Sequence, residues 1–338
     1  MKFQPSKFKN IIFDMDGVIT SEYIYWDTAA LTVYELLFDY HMYGKTEIDR
    51  ENCLENYKEL HKTIFCGDKT IRAVKALGVN TNWDLAYLTF CVSRYLEPEL
   101  EMLDEWHFQS VRMFIENIEA KAPEVYGLVG ELAANACGRP KEEFERTHGQ
   151  LWHNLQTCFQ RWFKNDGLYK HETPLVPLDK VRATLEYLKD SGVKLGVGTG
   201  RPRDEIMYPL ESWDLLKYFE PDMIVTYDEV AAAEENLRLL ESIAKPHPYV
   251  FIKAALGLDY PDRKIVGSAY AKSITKVTAV VGDAPSDFLA ARVAEMPFVG
   301  VLTGVDRDSA ETYFKTNKAD YIFDDITGLM PETGDKND

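Results

Sequence analysis

Two aspartates, Asp14 and Asp16, stand one residue apart in N-I-I-F-D-M-D-G-V-I-T, at the end of an apolar run and just before Gly17. Residues two apart in an extended backbone project to the same side. Two carboxylates held about 4 Å apart repel by about 1 kcal/mol in water and by about 4 kcal/mol at an effective dielectric of roughly 20. A cation between them, or a proton on one of them, relieves that repulsion. Both conditions suit phosphoryl transfer, in which one carboxylate attacks phosphorus and a second acid protonates the departing alkoxide. The competing reading is an ordinary Asp/Gly turn after a strand. A second acidic stretch, V-V-G-D-A-P-S-D, ends another apolar run at Asp283 and carries Asp287 one helical turn later. Asp283 suits a magnesium ion shared with Asp14, because that ion takes oxygen ligands and keeps several waters. Otherwise Asp283 ends a strand and Asp287 caps a helix.

Two further stretches complete the candidate chemistry. In V-G-T-G-R-P, Thr199 and Gly200 lie between a strand-like run and a helix that begins near Arg203-Asp204-Glu205. A hydroxyl and free backbone N–H groups at such a junction hold a phosphate well. The glycines at 196, 198 and 200 follow G-x-G-x-G, not the G-x-G-x-x-G of a dinucleotide loop. In A-K-P-H-P, Lys245 is either a solvated surface charge or the cation that offsets negative charge on a phosphate. His247 reads as a loop histidine.

These residues need elements to bring them together. Strand-like runs occur at Ile11–Phe13, Lys194–Val197, Met223–Thr226, Val277–Val281, Phe298–Leu302 and Tyr321–Phe323. Helix-like segments such as Asp179–Ser191 and Asp287–Ala294 alternate with them, which predicts a doubly wound, Rossmann-like parallel α/β sheet. Ligands bind such a sheet at its carboxyl edge, where all the candidate acids fall. Residues from about 21 to 172 differ in texture, with amphipathic helix-length stretches such as Thr28–Phe38, Leu85–Tyr95 and Glu142–Phe163. An all-helical domain at 21–172 is therefore expected to interrupt an α/β core made of 1–20 and 173–338. Tyr23, Tyr25 and Trp26, just past the first junction, read first as packing of that helical domain. The tail from Gly334 to Asp338 reads as disordered.

The chain has 338 residues, 46% hydrophobic and 28% charged, enough for a real core. A net charge of −17 argues against broad contact with nucleic acid or an anionic membrane. No apolar stretch reaches spanning length, and five cysteines without C-x-x-C spacing fit free thiols in a reducing cytoplasm.

In order along the chain, D-M-D-G-V-I-T, the run ending in Thr199, K-P-H-P and G-D-A-P-S-D resemble the four motifs of the haloacid dehalogenase-like superfamily, in its phosphatase branch. The resemblance covers about residues 8 to 20 and 173 to 330. It implies that Asp14 is the nucleophile and that Asp16 is the general acid/base, lending its main-chain carbonyl to the metal. It implies that Thr199, Gly200 and Lys245 hold the phosphoryl group, that Asp14, Asp16 and Asp283 hold Mg²⁺, and that Asp287 supports the metal shell and orients Lys245. The insertion after the first motif resembles a C1-type helical cap, although it is longer than the usual one. M-P-F-V-G-V-L-T-G resembles the phosphoglycolate phosphatase-like branch, and D-G-V-I-T also resembles the β-phosphoglucomutase branch. Dehalogenation needs no acid for an alkoxide, and the dehalogenase branch lacks the second aspartate, so Asp16 favours phosphate chemistry.

The expected function is thus a Mg²⁺-dependent phosphatase acting on a small phosphorylated metabolite through an aspartyl-phosphate. The alternatives are a phosphomutase and a non-enzymatic binding protein on the same scaffold.

Overall fold

The computed structural model describes residues 2–79, 81–304 and 306–331, so the expected tail disorder lies outside the described residues. The chain divides into two compact units: residues up to Glu22 together with those from Glu172 onward, and Tyr23–His171.

β1 (Asn10–Phe13) opens the first unit, and the chain then enters the second. There the elements are α1 (Tyr23–Phe38), α2 (Arg50–Glu55), α3 (Tyr57–Ile64), α4 (Lys69–Ala76), α5 (Asn82–Leu96), α6 (Glu105–Glu116), α7 (Glu124–Cys137) and α8 (Gln150–Gln160). α1 is buried almost all round and packs against α3, α5 and α8. Tyr25 stacks on Phe163 at 4.9 Å, and Trp26 is likewise buried, so both serve this unit's packing. Side-chain caps start several helices; the Thr81 hydroxyl accepts from the Asp84 N–H at 3.0 Å, for example. The single helix expected over Glu142–Phe163 is instead a 3₁₀ turn at Lys141–Phe144, a break, α8, and a π turn at Arg161–Asn165. Thr147 adopts φ 71° in the break, and Arg146 reaches Asp84 at 2.5 and 3.0 Å. The break also holds Gly149, which precedes α8 as its N-cap, so a local stop accompanies a long-range ion pair that helical periodicity does not reveal. All five cysteines are free thiols in this unit.

A buried charge network in the same unit carries a pH signature. His61 pairs Nδ1 with Asp27 at 2.6 Å and Nε2 with Asp68 at 3.2 Å, while the Tyr23 hydroxyl donates to Asp68 at 2.8 Å. Burial disfavours the imidazolium, but the two carboxylates outweigh it and raise the His61 pKa to about 9. A folded pKa above the unfolded one stabilises the fold at low pH. That contribution, of order 3 kcal/mol in full, is present below about pH 6.5 and lost as pH rises through about 9. Thermal melts across that window should therefore fall more steeply for the native protein than for His61→Asn; parallel slopes would contradict the assignment.

After the helical unit come α9 (Leu178–Asp190), β2 (Lys194–Gly198), α10 (Arg203–Ser212), β3 (Phe219–Val225) and α11 (Tyr227–Leu237). α12 (Tyr249–Leu256), α13 (Asp262–Val266), α14 (Lys272–Thr275), β4 (Thr278–Gly282), α15 (Pro285–Val293), β5 (Phe298–Val301), α16 (Arg307–Thr316) and β6 (Tyr321–Phe323) follow. The sheet is parallel throughout, in the order β3-β2-β1-β4-β5-β6. It is the doubly wound, Rossmann-like sheet that strand–helix alternation predicts. Successive strand residues serve opposite layers: Ile11 and Phe13 join a core with α9 and α10, whereas Ile12 faces the layer of α11, α12, α15 and α16.

Most strands fall within a residue of expectation at each end, and one differs by more. β3 begins at Phe219, four residues before the apolar run, because Glu220-Pro221-Asp222 sit on the sheet edge, where a proline costs no ladder bond. Thr226 caps α11 in a capping box with Glu229 and is not a strand residue. Among the described residues no helix is long and apolar enough to cross a membrane.

Candidate active site

Register sets the site. Phe13 pairs with Val197 of β2 on one side and Val281 of β4 on the other. The ends of the three strands are therefore level, and Asp14, Thr199 and Asp283 emerge within about one residue of each other. The chain order reverses between β1 and β4, the place where open α/β sheets bind ligands.

Asp14 continues β1 by donating its N–H to the Val281 carbonyl at 2.9 Å. Its Oδ2 lies 2.7 Å from the Lys245 Nζ, and that ammonium also donates to Asp287 Oδ1 at 2.8 Å. Asp287, fully buried, is anchored at the start of α15, where its Oδ2 accepts the Ala284 N–H at 3.3 Å. Asp14, Asp283 and Asp287 each offer an oxygen within 4.8 Å of the others. Gly17 (φ +73°) and Gly304 close in on Asp283, since a Cβ on either would lie 2.1 or 2.2 Å from its Oδ2. Thr303 donates its hydroxyl to the Gly17 carbonyl at 2.5 Å and ties that loop to the end of β5.

The charges do not balance locally. Three carboxylates crowd together while the one ammonium beside them contacts Asp14 and Asp287, and among the described residues the buried Asp14 Oδ1 has no hydrogen-bond partner. Burial, with Asp287, Asp14 and Glu22 nearby, pushes the Asp283 pKa well above the carboxylate range. Burial also moves Asp287 up to about 6, against the pull of Lys245. Burial opposes the Lys245 charge, but its two aspartates outweigh that and raise its pKa. An oxygen-rich, over-negative cluster with an unengaged buried oxygen fits a divalent cation of the magnesium type.

Asp16 turns away from this cluster. Its Oδ1 accepts from the Thr20 hydroxyl at 2.9 Å and from Arg201 at 3.2 Å. Burial raises its pKa to about 7, against the guanidinium of Arg201 and with help from Glu172, Glu22 and Asp14. Any part it takes in holding a cation falls to its main chain, because its carboxylate does not join the three-aspartate cluster. Thr199 is buried, and its Oγ1 accepts the Arg201 N–H at 3.3 Å; the space beside Gly200 is open. His247 accepts the Tyr249 N–H on Nδ1, as a loop histidine does. Sequence reading passed over Arg201, Glu172 and Thr303. Arg201 follows the Thr-Gly turn directly, but nothing local names its partners.

A family model of haloacid dehalogenase-like hydrolases matches residues 8–295. The chain belongs to that family. Among its relatives, phosphoglycolate phosphatase of Salmonella typhimurium is 27% identical over 180 residues, 53% of this chain and 58% of that one. Phosphonoacetaldehyde hydrolase of Bacillus cereus is 30% identical over 129 residues, 38% of this chain and 39% of that one. The chain thus spans between about two fifths and three fifths of these curated relatives. An X-ray structure from a structural genomics consortium matches 95% of this chain and 97% of its own at 28% identity, with a TM-score of 0.78. As a haloacid dehalogenase-like hydrolase, the chain has its acidic cluster at the carboxyl edge of the sheet.

Proposed function

We propose that this chain is a Mg²⁺-dependent phosphatase that hydrolyses a small phosphorylated metabolite through an aspartyl-phosphate on Asp14. The observation that carries the reading is the Asp14 carboxylate, with Oδ2 on Lys245 and Oδ1 buried and unengaged at the sheet's switch point. Asp14, the main-chain carbonyl of Asp16 and Asp283 would hold Mg²⁺, with Asp287 beside them; when bound, the ion supplies positive charge for the phosphoryl oxygens. Asp14 attacks phosphorus in line, and Asp16 gives its proton to the leaving oxygen. Asp16 then takes a proton from the water that cleaves the acyl phosphate. Lys245, the Thr199 hydroxyl and the Gly200 backbone offset charge on the equatorial oxygens, the main catalytic demand in phosphoryl transfer. The helical unit is read as a cap that limits bulk water and sets the leaving group, which favours a small metabolite.

The test is release of inorganic phosphate from a panel containing p-nitrophenyl phosphate, phosphoglycolate and β-glycerophosphate, with phosphonoacetaldehyde included because one relative bears that name. Turnover is expected with Mg²⁺ and should fall by about 10²-fold or more in EDTA. No phosphate release from any panel member would favour a binding protein; a hexose phosphate assayed beside the panel and isomerised without net release would favour a mutase.

A further inference from the structure

The Asp16 carboxylate is held by a device outside the acidic cluster. Arg201 is almost fully buried and donates to both oxygens of Glu172, at 2.6 and 3.2 Å; Glu172 is itself buried. The same guanidinium reaches Asp16 Oδ1 at 3.2 Å, the Thr20 hydroxyl at 3.3 Å and the Glu205 carbonyl at 3.1 Å. Both hydrogen bonds accepted by the Asp16 side chain fall on Oδ1, so among the described residues Oδ2 is left for proton transfer. The Arg201 backbone is pinned too: its N–H goes to Thr199 Oγ1 at 3.3 Å, and its carbonyl accepts the Tyr227 N–H at 2.9 Å. One residue therefore touches the side chains of both Asp16 and Thr199.

The place of Glu172 adds to the argument. The segment leaving β1 and the segment returning to the α/β unit run side by side, with Ser21 N–H to the Thr173 carbonyl and Leu175 N–H to the Ile19 carbonyl, each at 3.1 Å. Thr20 lies on the first and Glu172 on the second, and Arg201 bonds to both. A buried ion pair is weak evidence for stability, since an apolar pair of similar volume often does as well. Its planar fork, however, sets direction at two sites at once. We propose that Arg201, braced by Glu172, is a positioning residue that fixes Asp16 Oδ1 so that Oδ2 meets the leaving-group oxygen. The inference rests on the reading of Asp16 as the proton donor.

Leaving-group dependence tests it. A poor leaving group needs the acid, whereas p-nitrophenolate departs with little help. The probes are p-nitrophenyl phosphate and the fastest alkyl phosphate of a panel containing phosphoglycolate and β-glycerophosphate. Arg201→Met alone leaves Glu172 buried and unpaired, so the informative variant is the double change Arg201→Met with Glu172→Leu, which removes both charges. Its Tm is expected near the native value. Its kcat/KM, which reports the steps up to leaving-group departure and not the later hydrolysis that Asp16 also serves, should fall by about 10²-fold on the alkyl phosphate but only a few-fold on the aryl phosphate. Arg201→Lys should recover part of the loss. Equal losses on both substrates, or an unchanged alkyl rate, would overturn the proposal. Asp16→Asn is the control. If it loses no more on the alkyl than on the aryl phosphate, the proton-donor reading fails and takes the Arg201 proposal with it. If it does discriminate and the Arg201 variants do not, Arg201 alone is excluded.

Discussion

Asp14→Asn is expected to lower kcat by about 10⁴-fold or more on every phosphate the native protein hydrolyses, because a neutral amide replaces the anionic carboxylate proposed to form the covalent bond. Asparagine keeps the shape of the side chain, and Lys245 retains Asp287 as a partner at 2.8 Å. The fold should therefore survive. In EDTA the variant should melt at or above the native temperature, since one of three carboxylates crowded within 4.8 Å has been neutralised. Steady-state kinetics beside thermal melts check both halves. Equal turnover by native protein and variant would remove Asp14 from the nucleophile's place, while a large drop in Tm would mean that the lost rate reports unfolding.

Lys245→Met should act on stability and rate together. The Nζ lies 2.7 Å from Asp14 and 2.8 Å from Asp287, and both carboxylates are buried. Deleting the shared cation leaves uncompensated buried charge, a loss of about 3–5 kcal/mol in comparable pairs. Removing a positive group aimed at the developing charge should also lower kcat by about 10³-fold. The two effects separate in Lys245→Met with Asp287→Asn. Neutralising Asp287 should return much of the lost Tm, whereas kcat stays low because no ammonium remains beside the phosphoryl group. Recovery of rate in the double variant would show that Lys245 serves the fold and not the chemistry.

The parts of the site most readable in the sequence are those whose meaning is local. Asp14 and Asp16 share a strand end, and Asp287 follows the strand-end Asp283 by four residues, in the first turn of α15, where it reaches back to the Ala284 N–H. Strand–helix alternation marks a parallel sheet, and a parallel sheet must gather such ends on one edge. Elsewhere local signals misled. Glu142–Phe163 has helical periodicity, yet Arg146 leaves the helix to pair with Asp84. The first half of β3 hid behind Glu220-Pro221-Asp222, which only an edge position tolerates.

Residue types, spacing and order along the chain were enough to name Asp14, Asp16, Thr199, Lys245, Asp283 and Asp287 as candidates and to predict the sheet. Tertiary structure alone decided which groups pair. Lys245 bridges two aspartates, Asp16 turns to Thr20 and Arg201, Glu172 braces that arginine, and His61 is held between Asp27 and Asp68. The reason is that a charge's partner and its desolvation depend on distances across the fold, to which local spacing is blind. A lysine, arginine or histidine in an amino-acid string looks the same whether it ends in water or between two buried carboxylates.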